Sequence, residues 1–149
     1  MRQDIKSMPI NILVLESNER QREQIQEVLL NLGVAMGGQR IAIIFLPTRE
    51  EVLTQRNLHR FDLIICNVDL DQHLGPAFFL IKAILEQQPD CLVICFNDYE
   101  SLPECGAEAY EAGAREYFCK PWTRNWKGFL AEQAEIFITM ILHHRQKAN

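Results

Sequence analysis

No apolar run in this 149-residue chain approaches the roughly 18 consecutive residues that cross a bilayer, and no signal-peptide core opens it. A membrane span is therefore not expected, and the cytoplasm is the expected compartment. The five cysteines (Cys66, Cys91, Cys95, Cys105 and Cys119) contain no CxxC pair and no Cys/His spacing suited to zinc. Three of them interrupt apolar strand-like runs, where a free thiol behaves as a small hydrophobe. Neither a disulfide framework nor a structural metal is expected. There is no excess of positive charge either: the net charge of -5 gives no electrostatic reason to bind nucleic acid or an anionic membrane. Repeats, low-complexity tracts and linkers are all missing, so one domain is expected after a short flexible leader over residues 1–9.

What is present is the composition of an ordinary globule, 48% hydrophobic and 23% charged. Five short apolar runs read as strands: Ile10 to Leu15, Ile41 to Leu46, the run ending at Asn67, Cys91 to Phe96, and Glu116 to Cys119. Helical patterns separate them. Asn18 caps the first helix, with Gln21 at the capping-box position; Ile25, Val28, Leu29 and Leu32 share a face, and Gly33 marks the expected stop. Thr48 and Glu51 form a second capping box. Pro76 stands at the expected start of a third helix, and Pro103 and Gly106 predict irregular first turns in a fourth. A long final helix is expected from about Asn125 to about Lys147. Strands alternating with helices predict an α/β protein with a parallel sheet covered on both faces.

Open sheets of this kind place their chemistry at the carboxyl edge of the strands. Position 67 ends the third strand there, and it is asparagine, a neutral amide and a poor nucleophile. Glu16 follows the first strand, and Asn97 ends the fourth. Ala112-Gly113-Ala114, then Tyr117 and Phe118, then Lys120-Pro121 close the pattern, and Gly75 falls eight residues after Asn67.

In these residues, and over roughly residues 10–135, the chain resembles the receiver domain of two-component response regulators. The resemblance implies a doubly wound, flavodoxin-like three-layer fold with a five-stranded parallel sheet of order 2-1-3-4-5. It implies one receiver-like domain over residues 10–149 with an extended C-terminal helix. It makes Asn67 the phosphoacceptor position, Glu16 and Ser17 the acidic pair, Asp69 the backbone-carbonyl ligand position and Asn97 the hydroxyl position. Lys120 matches the family's lysine, and Tyr117 the aromatic that rotates inward on activation. A cis bond before Pro121 is also implied.

The departures fall on the chemistry. Ser17, Asn67 and Asn97 reduce the family's three side-chain carboxylates to the single Glu16. Aspartyl phosphorylation at position 67 is not expected, no residue is expected to be catalytic, and Mg²⁺ binding should be weak or absent. Glu16 and Lys120 should approach each other, bridged by the Asn67 amide. Asp69-x-Asp71-x-His73 reads as a solvated loop rather than a metal site. His143 and His144 point about 100° apart on a helix and are no ligand pair.

The expected function is that of a stand-alone pseudo-receiver, a binding protein acting through phosphorylation-independent protein–protein interaction in a two-component-type pathway. The alternative is an active receiver phosphorylated by a histidine kinase at a non-standard acceptor near Asn67, such as Asp69. No helix-turn-helix or basic stripe supports direct DNA binding. The final helix carries Trp126, Phe129, Leu130, Ile136, Phe137, Ile138, Met140 and Ile141 over roughly 200° of its circumference, about twice what one packed side needs. A homodimer is expected through the face of the fourth helix, fifth strand and fifth helix, with Trp126, Phe137, Ile138, Ile141 and Leu142 in the interface.

Overall fold

The strand residues divide by parity into two cores. A computed structural model describes residues 8–55, 59–70, 76–99 and 103–148. Its strands are β1 (Ile10–Leu15), β2 (Ile41–Phe45), β3 (Leu63–Asn67), β4 (Leu92–Asn97) and β5 (Glu116–Cys119). Its helices are α1 (Glu19–Ala35), α2 (Arg49–Gln55), α3 (Phe78–Gln87), α4 (Pro103–Ala112) and α5 (Trp126–Ala148), with a single 3₁₀ turn at Lys120–Trp122. The sheet is parallel with order β2-β1-β3-β4-β5. This is the doubly wound, flavodoxin-like α/β fold that the sequence led us to expect.

Successive side chains of a strand point to opposite faces. Ile12, Val14, Leu63, Ile65, Ile94 and Phe96 therefore enter one core, with Ile25 and Leu29 of α1 and Leu130, Phe137 and Ile138 of α5. Leu13, Leu15, Ile64, Cys66, Val93 and Cys95 enter the other, with Leu80, Ile81 and Ile84 of α3 and Ala109 of α4. Burial on both faces is why these strands read as unbroken apolar runs rather than alternating ones. The cysteines are free, and Cys66, Cys91, Cys95 and Cys119 are buried. Burial pushes the Cys91 thiol up to about 12, so it remains a neutral apolar filler.

Both predicted caps form. The Asn18 side chain accepts from Gln21 N at 3.0 Å, and the Thr48 hydroxyl accepts from Glu51 N at 3.2 Å. Gly33 does not end α1, which continues to Ala35. Its missing side chain serves packing instead: a Cβ there would lie 2.5 Å from the Gln39 carbonyl oxygen, where the chain turns back into β2. Gly106 likewise sits inside a regular α4 rather than disturbing it. A Cβ there would meet the Tyr117 ring at 3.3 Å, so the glycine leaves room for that aromatic. Pro76 lies just ahead of α3, whose first helical residue is Phe78. None of the described peptide bonds is cis, so the bond before Pro121 is trans, and Pro121 is the second residue of the 3₁₀ turn. The loop with Asp71, His73 and Gly75, and leader residues 1–7, lie outside the described residues.

α5 is pinned near its end: Arg145 Nη2 donates to Asp62 Oδ2 at 2.9 Å and to Pro9 O at 3.1 Å. Two residues of the expected interface are corrected: Phe137 (7% exposed) and Ile138 (0%) are core residues. Trp126, Ile141 and Leu142 are half-buried and pack in part against the same core. The excess apolar width of α5 lies on another stripe. Phe129 packs edge-on against Phe118 of β5, with ring centroids 5.3 Å apart, and Ile136 and Met140 continue that flank. Ile136 is 51% exposed and Met140 44%. No described helix is long and apolar enough to cross a membrane.

Candidate functional site

The carboxyl ends of β1, β3 and β4 carry the polar residues Glu16, Asn67 and Asn97, each at most 3% exposed. Side chains buried this deeply need partners, and all three find them: Glu16 and Asn67 in each other, Gln21 and Asp98, and Asn97 in Asp69, Tyr117 and Cys105. Parity separates the group. Glu16 and Asn67 continue the register that faces α1 and α5, whereas Asn97 continues the one that faces α3 and α4.

Asn67 is the centre of the first group. Its Nδ2 donates to Glu16 Oε2 and to Asp98 Oδ2, both at 2.7 Å. Its Oδ1 accepts from the Asp69 backbone N–H at 2.9 Å, which fixes the amide's orientation and closes the turn after β3. Gln21, on the first turns of α1, repeats the arrangement: its Nε2 donates to Glu16 Oε1 at 2.6 Å and to Asp98 Oδ2 at 3.2 Å. Two carboxamides thus clamp two carboxylates.

Lys120 completes the charge balance, but not with the partner expected from the sequence. Its Nζ pairs with Asp98 Oδ1 at 3.3 Å. Among the described ion pairs Glu16 has no part; Asn67 and Gln21 each link it to Asp98, which holds Lys120. The Asn67 oxygen accepts from Asp69 N, and no described bond joins it to the lysine. The Lys120 ammonium also lies over two rings, 4.0 Å from the Trp126 centroid and 5.0 Å from that of Phe96. Asp98 escaped the sequence reading because it stands one residue beyond a strand, in what reads as a loop. The available signal was a second carboxylate at the same edge, directly after Asn97.

Electrostatics follow from burial. Desolvation raises the Glu16 carboxyl above its usual value, and the negative Asp98 adds to this, while the bonds from Asn67 and Gln21 oppose it. Burial lowers the Lys120 ammonium, and Asp98 first, then Glu16, works against that. Both charges are held against a desolvation cost by hydrogen-bonded partners.

The second group centres on Asn97. Its Nδ2 donates to Asp69 Oδ2 at 3.2 Å, and the same oxygen accepts from Asp98 N at 3.0 Å. Its Oδ1 accepts from the Tyr117 hydroxyl and from the Cys105 thiol, the latter at 3.3 Å. Tyr117 is therefore turned inward, beside Gly106, against the core that contains α4. Ser17, the remaining residue of the expected site, is exposed, and its carbonyl accepts from Arg22 at 2.9 Å.

The residues fit a divalent cation poorly. Each oxygen of the Glu16–Asp98 pair already accepts from an N–H: Oε1 and Oε2 of Glu16 from Gln21 and Asn67, Oδ2 of Asp98 from both, and Oδ1 from Lys120. A Mg²⁺ ion needs such oxygens as ligands. Among the described residues no cluster of three or more His, Cys, Asp or Glu side chains could hold a metal.

No family model matches the sequence, and no curated protein is significantly similar to it. The fold, by contrast, is that of response regulator receiver domains. A response regulator from Thermotoga maritima superimposes with a TM-score of 0.69 at 20% identity, over 89% of this chain and 99% of that one. An orphan response regulator of H. pylori gives 0.66 at 22% identity, over 89% and 97%. The signal receiver domain of a DNA-binding response regulator from Colwellia psychrerythraea gives 0.71 at 14% identity, over 87% and 98%.

Proposed function

We propose that this chain is a signalling module that keeps the receiver fold but acts by protein–protein contact, without phosphoryl transfer and without Mg²⁺. The observation that carries this is the Asn67 carboxamide: it donates to Glu16 and Asp98 at 2.7 Å each, at the position where the receiver pattern calls for an acidic nucleophile. A neutral amide is too poor a nucleophile to take up a phosphoryl group as an aspartate does, and it brings N–H donors, not a ligand charge, to the two carboxylates. The module is thus not an enzyme, and its output is the surface it presents.

Phosphorylation at Asp69 is the competing reading. Its Oδ2 already accepts two hydrogen bonds, from Asn97 Nδ2 and Asp98 N, and so serves the β4–α4 loop rather than an incoming donor. Incubation with acetyl phosphate and Mg²⁺, followed by intact mass spectrometry, separates the two readings. The unmodified mass is expected; a base-labile phosphoryl adduct would establish the competing one.

The surface best suited to contact is the flank of α5 beside β5. Edge strand β5 leaves one side unpaired in the sheet; Phe129 packs on its Phe118, and Ile136 and Met140 lie exposed on the same helical stripe as Phe129. A homodimer through α4, β5 and α5 is the occupant we infer, seated on Ile136 and Met140 rather than on Phe137 and Ile138. The acidic balance supports neither nucleic acid nor membrane as a partner. The inward Tyr117 supports an active-like arrangement, since the receiver resemblance ties that orientation to activation.

A further inference from the structure

Asp98 belongs to none of the positions that the receiver pattern assigns, yet Asn67, Gln21 and Lys120 all converge on its carboxylate. An added anion at this sheet edge would seek the cation there, Lys120. Asp98 already holds it at 3.3 Å, and the Lys120 side chain, 11% exposed and held between the Phe96 and Trp126 rings, has little freedom to turn elsewhere.

We propose that Asp98 is a built-in anion: its carboxylate takes the place beside Lys120 that a covalently added phosphoryl group would need, and so holds Tyr117 inward with no modification of the chain. This rests on the reading of the site as one that works without phosphoryl transfer.

The connection to Tyr117 is continuous. Lys120 and Asn67 fix the Asp98 carboxylate from two sides. Its backbone N–H is thereby set against Asp69 Oδ2, which also takes the Asn97 Nδ2. With its nitrogen committed to Asp69, the Asn97 amide must turn its oxygen toward α4 and β5, where the Tyr117 hydroxyl donates to it. Release of Asp98 frees the loop, the amide can rotate, and the inward hydroxyl loses a fixed acceptor. The Asp98 side chain is 24% exposed, so exchanging it should alter this chain of contacts without opening the core.

The test uses the full chain with Asp98→Asn, Asp98→Glu and Lys120→Met, and no phosphodonor. Tyr117 is followed by fluorine NMR of fluorotyrosine-labelled protein, assigned with Tyr117→Phe, and circular dichroism confirms the fold. Lys120 is followed by the pH profile of its acylation. Asp98→Asn should move the Tyr117 signal toward solvent exposure. It should also raise Lys120 acylation several-fold at fixed pH, because the carboxylate that favours the ammonium form is gone. Lys120→Met should move Tyr117 in the same direction, and Asp98→Glu should keep both readouts near the parent. An unmoved Tyr117 signal in folded Asp98→Asn overturns the proposal. So does Asp98→Glu matching Asp98→Asn in both readouts. Neither outcome depends on whether the chain accepts phosphate, which the mass measurement reads separately.

Discussion

Exchanging one oxygen for one N–H₂ group at position 67 changes what the site can hold. The Asn67 Nδ2 faces two carboxylate oxygens at 2.7 Å, so an Asp there would place a third carboxylate against Glu16 and Asp98. Asn67→Asp should therefore cost about 2–4 kcal/mol at neutral pH, from two lost donors and like-charge repulsion at a buried point. Millimolar Mg²⁺ should recover part of the loss, since three carboxylates would then converge on one place. Chemical denaturation with and without Mg²⁺ measures both effects; an Asn67→Asp protein as stable as its parent would contradict the role assigned to the amide. Glu16 gives a pH signature. Its folded pKa is raised by burial, so its contribution to stability is full below the unfolded value of about 4.5 and is lost as pH rises through the folded value. Relative to Glu16→Gln, the parent should lose stability on going from about pH 4.5 toward neutrality. Paired denaturation curves across that range would show it, and a constant difference would speak against a buried, charge-bearing Glu16. Much of this site was legible in the residues: Glu16, Asn67, Asn97, Tyr117 and Lys120 meet at one sheet edge because strand ends fix where they emerge. The choice of Asp98 as the lysine's partner was not. It depends on a contact between Asp98 N and Asp69 Oδ2 across 29 positions of sequence, and local pattern carries no record of such contacts.

At the scale of the element, α5 shows how apolar width can mislead. Eight apolar residues over roughly 200° suggested one broad outward face. The structure sets Trp126, Leu130, Phe137, Ile138 and Ile141 against the core, seats Phe129 on Phe118 of β5, and leaves Ile136 and Met140 exposed on the same stripe as Phe129. Sequence spacing gives the angular spread but not the rotation of the helix against its sheet, which packing sets. The two stripes predict opposite outcomes. Ile138→Glu should destabilise the fold by about 4 kcal/mol or more, because it buries a charge without a partner. Ile136→Glu and Met140→Glu should leave the melting curve within about 0.5 kcal/mol of the parent and shift sedimentation from dimer to monomer. A parent that sediments as a monomer would remove the dimer from the account of α5. Gly33 and Gly106 carry the same lesson: read as breakers, both turn out to be contact points, one for the Gln39 carbonyl and one for the Tyr117 ring.

For the whole molecule, two apolar cores on a five-stranded sheet were readable from unbroken strand runs, and the receiver order followed from the resemblance. The state of the molecule was not readable, because it resides in rotamers: an inward Tyr117, a carboxamide with its nitrogen toward two acids, a lysine between two rings. Together these describe a receiver-type fold whose polar residues at the carboxyl edge of the sheet are satisfied by one another. The most direct check is an NMR titration of the unaltered chain with Mg²⁺ and beryllofluoride, following the side-chain amide signals of Asn67 and Gln21. Both should hold their positions through millimolar ligand, because their N–H groups remain on Glu16 and Asp98. A saturable shift of the Asn67 amide, accompanied by movement of Tyr117, would mean that the site still takes a cation and a phosphoryl-like group.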